Sequence, residues 1–229
     1  MKYFVRFLVF LAVFAGCKAE ESMTPDAAGT AYFPLKKGLY HIYAVNEVRY
    51  SSSPDPEALN YEIMTEVVDS FPSAQGNYIF VIQRKRRTAG TDPWELLDTW
   101  SARKDKSEVI VSEGNIPFVK VRFPLRDDMR WNGNAFNSLG EDEYELKDIH
   151  QPMALNGMTF EKTMTVEQER NEDIIVYKDE RIEVYALDVG LVYKEITQLN
   201  YCTDDNCLGQ QRVEYGIEMK MVIKQYGKN

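Results

Sequence analysis

The stretch Arg212-Val213-Glu214-Tyr215-Gly216-Ile217-Glu218-Met219-Lys220-Met221-Val222-Ile223-Lys224 decides the fold class. Val213, Tyr215, Ile217, Met219, Met221 and Ile223 share one face of an extended chain, and Arg212, Glu214, Glu218, Lys220 and Lys224 share the other. A period of two is the signature of a β-strand, whose successive side chains point to opposite faces of the sheet. One face here is apolar and the other charged, so the strand covers a core on one side and meets water on the other.

The same alternation recurs upstream. Val119, Val121 and Phe123 oppose Lys120 and Arg122, and Tyr78, Phe80 and Ile82 follow the turn residues Gln75-Gly76-Asn77. Further strands are predicted over 39–50, 61–68, 94–103, 108–112, 144–149, 158–166, 173–178, 181–186 and 191–198, where Val, Ile, Tyr, Phe and Thr concentrate. The short connections favour antiparallel hairpins. The predicted class is all-β: an antiparallel, strongly curved sheet or pair of sheets with little helix, forming a single β-rich domain over 31–229.

Two segments echo one another, Phe33-Pro34-Leu35 followed by Tyr40, and Phe123-Pro124-Leu125 followed by Trp131. Each precedes a strand starting Tyr-Glu (Tyr61-Glu62, Tyr144-Glu145) and then a glycine turn (Gly76, Gly157). That order fits an internal duplication with halves near 31–122 and 123–229, and fits equally a coincidence among alternating strands.

The first sixteen residues have the parts of a secretory signal: Lys2 and Arg6, an apolar run over 7–14, then small Ala15 and Gly16. At under about 17 residues the run is too short to stay as a membrane-spanning helix. The segment Phe14-Ala15-Gly16-Cys17 resembles the lipobox of bacterial lipoproteins. That resemblance implies cleavage ahead of Cys17 and lipidation of its thiol, with more than one acyl chain holding the protein to a membrane. The alternative is an ordinary secretory signal with an incidental cysteine. Residues 17–30 have no apolar periodicity and are predicted to be a flexible tether. Lys18-Ala19-Glu20-Glu21 resembles the export signal of Bacteroidota surface lipoproteins, or is a solvated acidic linker. The expected location is the outer membrane by lipid anchor, with the cell surface and the periplasmic face both open.

Removing the signal takes the basic count from 27 to 25 against 36 acids, a net charge near -11. Such a balance repels nucleic acid, which is not expected as a partner. The basic run Arg84-Lys85-Arg86-Arg87 reads as a solvated strand end or, against the surrounding field, a polyanion site.

Cys202 and Cys207 enclose Thr203-Asp204-Asp205-Asn206, and in an oxidising compartment they are expected to form a disulfide. Asp127, Asp128, Trp131, Asn132 and Asn134 form the most unusual cluster. They read either as a hairpin with left-handed Asn132-Gly133 and Trp131 packed on the sheet, or as a carbohydrate or cation site with the indole for stacking and the oxygens as ligands. No catalytic residue, metal site or cofactor is expected. His41 is placed within a strand and His150 in a loop, and neither lies in a nucleophile or metal motif.

Tyr32-Phe33-Pro34-Leu35-Lys36-Lys37-Gly38 with Tyr40 and Tyr43, the segment Trp131-Asn132-Gly133-Asn134, and Gly190-Leu191-Val192-Tyr193-Lys194-Glu195 together resemble the small cell-envelope lipoproteins of Bacteroidota. The likeness implies the anchor and the fold, and brings no active site with it. Three functions follow as expectations. The first is a non-enzymatic component that binds another envelope protein. The second is a carrier or sensor of an apolar or glycan ligand, which predicts a groove lined by Met219, Met221 and Tyr215. The third is a hydrolase, which requires converging carboxylates or a histidine with an acid.

Overall fold

A computed structural model describes residues 28–229 apart from 52, 54, 75 and 89. The expectations on the signal segment, on Cys17 and on most of the tether lie outside the described residues. Twelve strands follow in order: β1 (Leu39–Tyr50), β2 (Glu57–Pro72), β3 (Tyr78–Arg87), β4 (Glu95–Lys104), β5 (Glu108–Glu113), β6 (Ile116–Arg122), β7 (Arg130–Asn132), β8 (Glu143–Leu155), β9 (Met158–Asp173), β10 (Tyr177–Ala186), β11 (Gly190–Tyr201) and β12 (Val213–Lys228). They make one antiparallel sheet in the order β6-β5-β4-β3-β2-β1-β12-β11-β10-β9-β8-β7.

Each strand lies beside its neighbour in sequence except β6 and β7, which are the two ends of the sheet, while β12 pairs with β1. The ends curl round to meet. The Val119 amide donates to the Gly133 carbonyl at 2.8 Å, and the Trp131 indole Nε1 donates to the Val119 carbonyl at 2.9 Å. The result is a nearly closed barrel, all-β as the alternation predicts, and the described residues hold little helix, chiefly the turn at Thr30–Tyr32. Among the described residues no helix is long and apolar enough to cross a membrane.

Local chemistry explains where the structure departs from expectation. Residues 173–178 are not a separate strand: β9 runs to Asp173 and β10 starts at Tyr177. The Asp173 carboxylate accepts from the amides of Ile175 and Val176 at 2.9 and 3.2 Å, so a side-chain-fastened turn overrides the β preference of that apolar run. His150 lies within β8 and not in a loop, because positive φ at Asp148 and His150 absorbs a register shift there. Asn132-Gly133 is not a left-handed hairpin turn. Gly133 stands where any Cβ would come within 2.3 Å of the Tyr144 ring, and the chain loops from there to Asp142 before β8.

The segment ahead of β1 covers one end of the barrel. The Ala28 carbonyl accepts from Leu125, the Ala31 carbonyl accepts from Asp188, and Lys104 Nζ donates to the carbonyls of Thr30 and Phe33. Those partners belong to the connections β6–β7 and β10–β11 and to the end of β4, all at the end where β1 begins. Tyr32 is fully buried there. The echoed segments differ in use: 33–35 packs into this closed end, while 123–125 forms the β6–β7 connection and contains the cis Phe123–Pro124 peptide.

Candidate binding cavity

Strand register dictates what faces inward. On β1, His41 and Tyr43 oppose Thr65 and Ile63 of β2, which in turn oppose Arg84 and Arg86 of β3. Arg84 and Ile82 then oppose Asp98 and Trp100 of β4. In the other direction Val45 and Glu47 oppose Met221 and Met219 of β12, which oppose Lys194 and Ile196 of β11, and Lys194 opposes Glu183 of β10. With a period of two, all of these share the interior. They do not fill it. A cavity of about 450 Å³ remains between two clusters of buried side chains, one around Tyr32, Val111 and Tyr185 and the other around Tyr43, Ile63 and Met221.

The cavity has an apolar wall and a charged wall. Ile63, Val67, Ile82, Trp100, Leu191, Met219 and Met221 supply the first. The second is a network that crosses the barrel from β5 and β6 to β10 and β11. Lys120 occupies a register shift in β6, and its Nζ reaches Glu113 Oε1 at 2.6 Å and Glu183 Oε1 at 2.9 Å. Lys194 Nζ donates to the same Glu183 oxygen at 2.9 Å, and the Tyr185 hydroxyl donates to Oε2 at 2.5 Å. Burial opposes the charged forms of Glu183 and Lys120, yet their mutual attraction prevails. Glu183 is held well below the usual carboxylate range by Lys120 and Lys194, and Lys120 is held above the usual lysine value by Glu113 and Glu183. Glu113 is likewise lowered: burial raises it, and Lys120 and Lys194 more than compensate.

Nearer the end where β1 finishes, Arg49 pairs with Glu47, which also accepts from the Tyr61 hydroxyl. Burial and that bond push the Tyr61 phenol up to about 12. Arg84 pairs with Asp98 at 2.9 Å and lies 3.9 Å over the Trp100 ring, while Arg86 lies 3.9 Å over Tyr61. His41 Nε2 donates to the Val189 carbonyl at 2.7 Å, and burial lowers its pKa, leaving a neutral imidazole.

Alternation also sorts the basic run. Arg84 and Arg86 line the cavity, whereas Lys85 pairs with Glu66 and Arg87 with Glu62. It is therefore neither a uniformly solvated strand end nor a single polyanion patch, and the period-two pattern within four basic residues is the signal that separates them. Met219 and Met221 line the cavity as the carrier expectation requires. Tyr215 does not; it is 54% exposed at the start of β12.

The cluster around Trp131 does not assemble a stacking site. Trp131 is 4% exposed, packs edge-on against Tyr144 and spends its N–H on the Val119 carbonyl. Asn132 Oδ1 accepts from the amides of Asn134 and Asp142, and Asn134 Oδ1 accepts from Asn137, so both are loop fasteners. Asp127 and Asp128 are exposed on the β6–β7 connection.

Cys202 and Cys207 form the expected disulfide, with Cα atoms 5.8 Å apart, in the loop between β11 and β12. Asp204 lies close to both sulfurs, but thiols joined to each other are not free to hold a metal. Replacing both cysteines by serine is expected to cost about 2 kcal/mol or less, because the closed loop is short. Urea unfolding with and without reductant checks this, and a loss above about 4 kcal/mol would mean that the disulfide does more than restrain the unfolded chain.

No family model matches the chain, and no curated protein matches it. Two solved structures are similar in part. One, from Bacteroides fragilis, is described as a candidate exported protein with a YmcC-like fold; it is 12% identical, with a TM-score of 0.45 over 86% of this chain and 98% of that one. The other, from Parabacteroides distasonis, is described as a candidate lipoprotein; it is 9% identical, with a TM-score of 0.39 over the same shares of the two chains.

Proposed function

We propose that this chain is a lipid-anchored envelope protein that carries or senses a small, mainly apolar molecule inside its barrel, and is not an enzyme. The observation that carries the reading is the cavity of about 450 Å³ walled by Ile63, Val67, Ile82, Met219 and Met221, within the range of about 300–1,000 Å³ usual for small-molecule sites. An apolar ligand suits it better than a glycan. Arg84 covers a face of Trp100, Arg86 covers Tyr61 and Arg87 covers Trp94, so aromatic faces that would stack on a sugar are already engaged. Against hydrolysis, Glu113 and Glu183 do converge, but lysines keep both ionised and neither is poised to donate a proton near neutral pH. The anchor rests on the lipobox-like Phe14-Ala15-Gly16-Cys17 and the outer-membrane location on the Bacteroidota resemblance.

Native mass spectrometry of the full-length protein, gently extracted from its own membranes, tests the carrier role. A co-purifying mass of a few hundred daltons is expected, and Met221→Trp, which puts a larger side chain into the cavity, should lower its occupancy without unfolding the barrel. A separate observation favours protein binding: the β9–β10 hairpin tip exposes Ile174, Ile175 and Val176 at 64%, 45% and 44%. An empty barrel that retains a bound polypeptide would replace the carrier reading with that one.

A further inference from the structure

Among the cations that line the cavity, all but one are matched. Arg49 has Glu47, Arg84 has Asp98, and Lys120 and Lys194 share Glu113 and Glu183. Arg86 makes no ion pair or hydrogen bond through its side chain with any described residue, and its guanidinium lies over the Tyr61 ring. Arg86 is half-buried in the cavity lining and no carboxylate there pairs with it, so it presents a cation to whatever occupies the cavity. The guanidinium carbon lies 3.9 Å from the Tyr61 ring centroid and no described residue accepts from its N–H donors, which can take a carboxylate with two parallel hydrogen bonds.

Position adds to charge. Arg86 is the penultimate residue of β3, close to the end of the barrel away from the 28–36 segment, and Arg49 and Leu97 beside it in the cavity lining are partly open to solvent. From there the apolar wall of Ile63, Ile82, Val67 and Met221 leads inward toward the buried Leu35. A single negative charge at the rim with a hydrocarbon chain below it matches this arrangement. A neutral lipid would leave Arg86 unsatisfied, and a dianion would lack a second cation.

Resting on the carrier reading, we propose that the ligand is a long-chain carboxylate whose head is bound by Arg86 and whose chain lies along Ile63, Ile82, Val67 and Met221. The test uses palmitate and hexadecan-1-ol analogues carrying a photoreactive diazirine at the chain end, applied to the full chain held in detergent-free amphipol. Labelling of the cavity wall, mapped by peptide mass spectrometry, should reach half-saturation at least tenfold lower for the acid than for the alcohol. Arg86→Gln should remove that preference while leaving the alcohol unchanged, and Arg86→Lys should keep part of it. Equal labelling by acid and alcohol, or a preference that survives in Arg86→Gln, overturns the carboxylate assignment and leaves the carrier standing. Labelling by neither probe, or only outside the cavity, overturns both.

Discussion

Glu183→Gln is expected to lower the stability of the barrel by about 3–5 kcal/mol, the usual cost of removing one partner from a buried ion network. Its carboxylate accepts from Lys120, Lys194 and Tyr185 together, and the substitution leaves the buried Lys120 with Glu113 alone and the half-buried Lys194 without the carboxylate it pairs with. The midpoint of urea unfolding should fall with little change in slope. The double variant Glu183→Leu/Lys194→Leu should recover much of the loss, because a well-packed apolar pair can replace a buried charged one at little cost.

The same network sets a pH dependence with a definite sign. Glu183 and Glu113 both titrate below their ordinary values in the folded barrel. A lowered carboxylate pKa contributes stability that is fully present above the unfolded value of about 4.3 and is lost as pH falls below it. Stability of the native protein should therefore decline below about pH 5, and the decline should be shallower in Glu183→Gln. A parallel decline in the two proteins would show that Glu183 contributes nothing to acid sensitivity.

Trp131→Ala is expected to cost a further 3–5 kcal/mol or so by the usual scale for emptying a buried indole site. This residue packs where β6 and β7 meet, and its indole N–H bonds across them to the Val119 carbonyl. Trp131→Phe separates packing from bonding, and should cost about 1–3 kcal/mol by leaving the Val119 carbonyl unsatisfied. Amide exchange of Val119 and Val121 should rise in both variants while exchange in β1 and β12 barely moves. Uniform acceleration across all strands would mean that the seam has no local opening of its own.

The class was legible because alternation is a local property. Val213 to Ile223 announces a strand with one dry face whatever lies opposite, and most strand positions follow from the same rule. What lies across a barrel is not local. Nothing near Lys120 in sequence signals that it meets Glu183 of β10, and a lysine flanked by Val119 and Val121 reads as the wet face of its strand. The register shift in β6 turns it inward, and such shifts depend on the partner strand. The Trp131 cluster misled for a related reason. Trp, Asn, Gly and Asp together look like ligand chemistry, but the indole belongs to the seam and Gly133 answers to the Tyr144 ring. Arg86 sat in plain view: alternation groups it with Arg84 apart from Lys85 and Arg87, and its register opposite Ile63 turns that face inward.

The pairing of β1 with β12 also bears on how the chain assembles. Leu39 lies against Lys228, so β1 needs β12, made about 175 residues later, as its partner on one side. A chain delivered N-terminus first can zip β1 through β6 as local hairpins, but β1 keeps an open edge until β12 has been made. An open edge invites pairing with another chain. Premature termination anywhere before Val213 would leave two bare edges in one molecule, on β1 and on the last strand completed, and such fragments should associate edge to edge where the full-length chain does not.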